Sequence, residues 1–138
     1  MTRRLAPEEA LIYAMVTTAA VDRAIADSEL SRIGSIVKEL PMFTGYDRDW
    51  LVEEAQACGR VLAGPSGLDK VLDMIRDGLP EHLHETAYVL AAEVAATDMK
   101  VKLEESRFLE LLGDKLEIED LVRAALERAA KARHQTIS

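Results

Sequence analysis

The sequence predicts an all-α protein of about seven helices, in which two apolar central helices are surrounded by the others. Glycine and proline are sparse, with 7 and 4 residues among 138, and aromatic side chains form only 4% of the chain. Few turn-forming residues and abundant Ala, Leu and Glu favour helices over strands. Apolar residues recur at helical spacing, and a unit made of a helix, an acidic turn and a second helix occurs twice. This repetition predicts an internal duplication.

The first two helices are predicted from their ends and their apolar faces. Helix 1 runs from about residue 7 to about 22, because Pro7 suits the first helical position. Its interior, residues 11–21, is apolar on nearly every side, as expected of a helix enclosed by others. Helix 2 begins near Asp27 and ends just before Pro41, which cannot continue it.

The middle of the chain predicts two further helices. Helix 3 starts near Asp47 and carries an apolar stripe that includes Trp50 and Cys58. Residues 64–67, Gly-Pro-Ser-Gly, break the chain. Helix 4 follows this break and ends before Pro80.

The last three helices complete the predicted domain. Helix 5, from about residue 81 to about 97, is the second mostly apolar helix, and helix 6 runs from about 103 to about 116. Helix 7 runs from 117 or 118 to about 133, with acids at its start and bases at its end that complement the helix dipole. One domain covers residues 1–138, with a frayed tail expected from about residue 134.

Composition and charge argue against several classes of protein. The net charge of −8 argues against nucleic-acid binding, which needs a clustered basic face. The longest uncharged apolar-rich stretch, residues 10–21, is too short to span a bilayer, and it is not of signal-peptide type. Cys58 is the single cysteine, so no intrachain disulfide can form. We therefore expect a cytoplasmic protein.

The repeated pattern places acidic residues at two predicted turns. Asp22, Ile25 and Glu29 recur 76 positions later as Asp98, Val101 and Glu105. Oxygen-rich turns are what hard divalent cations require, so a cation (Ca, Mg or Mn) is the one cofactor that the sequence indicates. The candidate metal ligands are Asp22, Asp27, Glu29, Asp98, Glu104 and Glu105.

The same carboxylates also have a purely structural interpretation. An Asp can accept hydrogen bonds from backbone amides near the end of one helix, and Glu29 or Glu105 can cap the first turn of the next. The spacing is not that of an EF-hand, because Ala24 and Ala26 occupy positions that would need oxygen ligands. Both interpretations remain open at this point.

At these residues the chain resembles the tellurite-resistance TerB-like family. In that family an Ala-rich helix ends in an Asp-Gly-x-aliphatic-x-x-x-Glu turn in each half of a seven-helix domain. The resemblance extends from about residue 11 to about 126, with Arg23 and Met99 in place of the glycines. It implies an all-α domain associated with metal or metalloid stress, phage resistance or envelope-linked assemblies. It also implies acidic clusters that are candidates for metal binding, and no established catalytic activity.

One acidic residue interrupts an apolar helix and marks a second candidate site. Glu93 lies on the apolar face of helix 5, and a buried carboxylate needs a polar partner. We expect that partner among Tyr13, Tyr88, Thr17 and Thr18. Glu93, Tyr13 and Tyr88 would then form a ligand pocket between the central helices, although a purely structural hydrogen bond is the simpler interpretation.

The remaining polar residues indicate no chemistry. His82 and His84 are two positions apart and point to different sides of a helix, so we expect them to be solvated or capping. Cys58 is expected in the core. No nucleophile–base–orienter set and no phosphate or dinucleotide loop is present, so we predict that the protein is not an enzyme.

The function expected from these observations is that of a non-enzymatic TerB-like domain in a tellurite or metal-stress response. It would act through contacts with protein partners, such as envelope-linked stress proteins, and would bind a divalent cation weakly at the acidic turns. The alternative is a small-molecule or lipid-binding helical bundle with a pocket between the central helices. The sequence does not predict the oligomeric state.

Overall fold

The computed structural model describes residues 4–20, 27–98 and 103–137, apart from the side chain of Asp98. Within these residues it contains seven α-helices and no strand, which confirms the predicted all-α class. Three short 3-10 turns occupy Pro41–Phe43, Glu81–Leu83 and Ala96–Asp98. The helices are α1 (Pro7–Ala20), α2 (Asp27–Glu39), α3 (Trp50–Ala63), α4 (Gly67–Gly78), α5 (His84–Ala95), α6 (Leu103–Lys115) and α7 (Asp120–Arg133).

Helices α1 and α5 pack against each other at the centre of the fold. Helix α1 also contacts α2, α3, α4 and α6, and α5 also contacts α2, α6 and α7. Every side chain of α1 from Ala10 to Ala19 is buried, and so are eight residues of α5. Because neither helix has a wide polar face, both must be covered by other helices. The prediction of two apolar central helices is confirmed.

The helices that follow the two central helices, α2 and α6, have the same length and the same position relative to the repeated sequence pattern. Helices α2 and α6 both contain 13 residues, and their first and last residues lie 76 positions apart. Ile33 and Ile36 correspond in this way to Leu109 and Leu112, and all four are buried. Helix α2 contacts the turn Ala96–Asp98, and α1 contacts α6, so each pair of helices packs on the other.

Two glycines allow α4 to approach its neighbours closely. A Cβ atom at Gly78 would lie 2.8 Å from the carbonyl oxygen of Leu5, so the segment before α1 crosses the end of α4 with no room for a side chain. A Cβ atom at Gly67 would clash with the carbonyl oxygen of Leu62. The start of α4 is therefore pressed against the end of α3.

Helix α3 begins later than predicted, and one of its residues is placed differently. A turn precedes the helix, because the carboxylate of Asp47 accepts a hydrogen bond from the backbone N–H of Asp49 at 2.9 Å. The prediction that Trp50 belongs to the apolar stripe is wrong, since its side chain is 49% exposed. Its ring instead packs edge-on against Tyr46, with 5.4 Å between ring centroids.

Helix α7 also begins later than predicted, at Asp120 rather than at 117 or 118. The reason is the end of α6, where Glu117 adopts a left-handed conformation with φ of +55°. The N–H of Ile118 then donates to the carbonyl of Gly113 at 3.0 Å, which is the Schellman pattern of a helix end. The chain can enter α7 only after this reversal.

The packing of α1 and α5 can be tested by enlarging one alanine in each helix. Ala19 and Ala95 are 0% and 2% exposed, so Ala19→Leu and Ala95→Leu should each overpack the centre and lower the free energy of unfolding by about 1–3 kcal/mol. Ala125→Leu, on the exposed face of α7, is the matched control. Urea unfolding curves in which the two central variants match the control would contradict the packing.

Candidate functional site

The structure places one buried carboxylate at the start of each of the two corresponding helices. Glu29 is the third residue of α2, Glu105 is the third residue of α6, and each is 1% exposed. The first turn of a helix has backbone N–H groups without helical partners and a positive dipole end, and both favour a carboxylate. Each of these glutamates takes part in polar or electrostatic interactions. The two glutamates that match in the repeated sequence pattern are therefore also buried to the same extent.

The other four candidate metal ligands are distributed differently. Asp27 and Glu104 are exposed at the helix starts. Asp22 lies outside the described residues, and so does the side chain of Asp98. Across residues 4–20, 27–98 and 103–137, no group of three or more His, Cys, Asp or Glu side chains is arranged to hold a metal ion. Among the described candidate ligands, Glu29 and Glu105 are therefore the two that are buried.

Glu93 has polar partners that sequence reasoning missed. Its side chain is buried in α5, and its Oε1 accepts a hydrogen bond from Nε of Arg133. Nε2 of His134 lies 3.5 Å from the same oxygen. Arg133 is 40 residues away in sequence and reaches Glu93 because α7 packs on α5. The basic end of α7 is visible in the sequence, and it is the feature that could have indicated a cationic partner for Glu93.

The hydroxyl groups predicted to pair with Glu93 have other roles. The Tyr88 phenol is influenced by Glu127 of α7, because burial raises the Tyr88 pKa most and the charge of Glu127 raises it further. Thr18 donates to the carbonyl of Ala14 at 2.7 Å. Thr17 lies 3.4 Å from the sulfur of Cys58, measured from its Oγ1.

Tyr13 is buried with 3% exposure, and its carbonyl oxygen contacts the Cys58 sulfur of α3 at 4.0 Å. Glu93 and Tyr88 are instead directed at α7. Two of the three residues proposed for a ligand pocket therefore face α7. The pocket between α1 and α5 stays a prediction.

His134 is the first residue of the tail predicted to be frayed, yet its side chain is only 8% exposed. Burial lowers the pKa of His134 below its usual 6.5, and the positive charges of Arg32 and Arg133 lower it further, while the charge of Glu93 opposes them. The folded protein therefore binds a proton at this imidazole less readily than the unfolded chain does.

The histidine pair and the cysteine lie in places that indicate no chemical role. His82 is exposed, and Nδ1 of His84 lies 3.2 Å from the carbonyl oxygen of Leu116 at the end of α6, which is a capping contact. Cys58 is fully buried. Burial raises the pKa of the Cys58 thiol to about 11, although the hydrogen bond with Thr17 opposes this shift.

Comparison with known proteins finds no matching family model, curated protein or solved structure. None of the helices in the described ranges combines the length and the apolar character needed to cross a membrane.

The burial of Cys58 predicts slow thiol chemistry in the folded protein. A raised pKa leaves little thiolate at pH 8, and the core blocks access, so reaction with a thiol reagent should be at least about a hundredfold slower than in urea. Val52→Cys in a Cys58→Ala background supplies an exposed reference thiol, since Val52 is 63% exposed. Equal reaction rates for the two thiols in the folded state would contradict the burial of Cys58.

The position of His134 predicts a loss of stability in mild acid. The unfolded chain takes up a proton near pH 6.5, whereas the folded protein resists it, so the free energy of unfolding falls as the pH falls from about 7.5 to about 5.5. His134→Gln should reduce this fall, as measured by urea unfolding at both pH values. His82→Gln, at an exposed histidine, should leave it unchanged; the same slope in all three proteins would contradict the role of His134.

Proposed function

We propose that this chain is a non-enzymatic, TerB-like helical domain of a metal-stress response, which acts through protein contacts and binds a divalent cation at its two acidic turns. The observation that carries the proposal is the pair Glu29 and Glu105. Both carboxylates are 1% exposed, and both occupy the third position of helices whose bounds lie 76 residues apart. Such agreement supports the proposed internal duplication and the duplicated site.

A cation would offset the cost of gathering carboxylates at these turns. In the sequence, Asp22 and Asp27 accompany Glu29 within eight residues, and further acids accompany Glu105 in the second turn. Removal of a carboxylate from water is costly, and like charges raise that cost. Residues 22–29 and 98–105 contain no Cys or His, so the ligands are oxygen atoms. Oxygen ligands favour Ca²⁺, Mg²⁺ or Mn²⁺ over softer metals.

Capping is the competing explanation of the same geometry. A glutamate at the third helical position can accept a hydrogen bond from a backbone amide, and this requires no metal. A carboxamide can also accept such a bond, but it carries no charge to attract a cation. Asp→Asn and Glu→Gln variants therefore separate the two explanations.

Exposed apolar side chains beside both turns support a role in protein contacts. Leu30 follows Glu29 and is 45% exposed, and Leu103 precedes the acids of α6 and is 82% exposed. Leu103 also borders a groove of about 440 Å³ that contains Phe108. An exposed apolar side chain that borders an apolar groove, as Leu103 does, is typical of surfaces that bind other proteins.

The cation part of the proposal predicts a rise in melting temperature in about 10 mM CaCl₂, MgCl₂ or MnCl₂, relative to NaCl of the same ionic strength. An ion bound only by the folded state stabilises it by RT ln(1 + [L]/Kd), which is about 2.7 kcal/mol at a hundred times Kd. Asp22→Asn combined with Asp98→Asn should abolish this rise. Thermal unfolding followed by circular dichroism provides the measurement.

Two further variants make this test specific. Glu29→Gln with Glu105→Gln should also abolish the response to the cation, whereas Glu39→Gln with Glu110→Gln, at exposed positions of the same helices, should preserve it. If no ion raises the melting temperature of the wild-type protein, the carboxylates act as helix caps and the cation part is wrong. A rise that survives in both turn variants would contradict it equally.

A further inference from the structure

A groove of about 580 Å³ lies between α3, α4 and the segment that precedes α1. Its volume is within the range of small-molecule sites, roughly 300–1,000 Å³. Val61 of α3 and Met74 of α4 provide apolar lining, and Gly64 also borders the groove. The groove shares no residue with the acidic turns.

Close backbone approaches hold the walls of this groove. Gly67 presses the start of α4 against α3, and Gly78 presses the end of α4 against Leu5. Leu5 is 3% exposed, so it anchors the segment that carries Arg4 into the groove. The groove is therefore bounded by three segments fixed to one another at both ends of α4.

The acidic side chains that line the groove have cationic partners. Asp73 accepts a hydrogen bond from Nζ of Lys115 at 2.6 Å, and Asp77 lies 3.2 Å from a guanidinium nitrogen of Arg76. The hydrogen bond from Lys115 lowers the pKa of Asp73, which keeps this carboxylate ionised. Both acids of the groove are thus neutralised by cations other than those that line it.

Three basic side chains in the groove lack such partners. Arg4, Arg60 and Lys70 line the groove, and within the described residues none of the three forms an ion pair. They provide a local excess of positive charge on a chain with a net charge of −8. Exposed cations beside an apolar floor attract a ligand that is itself both anionic and apolar.

We propose that this groove binds a small organic anion. Its acidic group, a carboxylate or a phosphate, would lie among Arg4, Arg60 and Lys70, and its apolar body would pack on Val61 and Met74. The two headgroups share the same chemistry of recognition, and the experiment below separates them.

The test is a titration of the full chain with hexyl phosphate, hexanoate, inorganic phosphate and hexanol, followed by amide chemical shifts in two-dimensional NMR. One or both of the hexyl anions should produce saturable shifts at Gly64, Lys70 and Met74 below about 10 mM. The tighter of the two identifies the headgroup. Hexanol should not bind, and inorganic phosphate should bind at least about tenfold more weakly than the tighter hexyl anion, because each lacks one half of the recognised chemistry.

Charge-reversal variants connect the binding to the groove. Arg60→Glu with Lys70→Glu should raise the dissociation constant at least about tenfold, and added salt should weaken binding to the wild-type protein. Lys38→Glu with Arg48→Glu reverses two exposed charges elsewhere and is the matched control. If the protein with Arg60→Glu and Lys70→Glu fails to fold, Arg60→Gln with Lys70→Gln serves the same purpose.

Four results would overturn the proposal. The first is the absence of saturable shifts with either hexyl anion. The second is equal binding of hexanol, and the third is equal binding of inorganic phosphate, which would reflect an adventitious ion only. The fourth is equal affinity in the groove variants and in the matched control.

Discussion

The direct packing of α1 on α5 is the constraint on which the rest of the structure depends. Helices that are apolar on nearly every side cannot border water, so the other five helices have to enclose them. This arrangement leaves little room for charge near the centre. Glu93 is the exception, because it is buried in α5 and its carboxylate accepts a hydrogen bond from Arg133 and lies 3.5 Å from His134. The end of α7 is therefore held against α5 by the ion pair between Arg133 and Glu93 as well as by apolar contacts.

Each central helix makes a buried polar contact with an outer helix. Thr17 of α1 and Glu93 of α5 lie 76 positions apart in the sequence, and both are buried. Thr17 contacts Cys58 of α3, while Glu93 accepts a hydrogen bond from Arg133 of α7. The contact between α1 and α3 is therefore neutral, whereas that between α5 and α7 is an ion pair. Helix α4 packs on α1, α3 and α6.

The features that the sequence predicts well are those that depend on local signals. The limits of α2 and α6 follow from acids at their starts and apolar stripes along their lengths. Periodicity shows which residues share a face, but it does not show which helices meet. The pairing of Glu93 with Arg133 and the placement of Arg4 beside α4 are both products of tertiary packing, so no local pattern contains them. The exposure of Trp50 has the same origin, because periodicity does not show which part of α3 a neighbouring helix covers.

The buried carboxylates at the two turns differ from Glu93 in their place on the helix, because Glu29 and Glu105 lie in a first turn and Glu93 lies near the end of α5. A helix start offers a carboxylate backbone N–H groups and the positive end of a dipole. Glu29 and Glu105 therefore have local stabilisation whether or not an ion is bound. A cation of the proposed kind would then adjust the stability of these corners rather than create the fold. Its effect would be felt first at Leu30 and Leu103, the exposed apolar side chains beside the two turns, and so at the surface proposed for protein contacts.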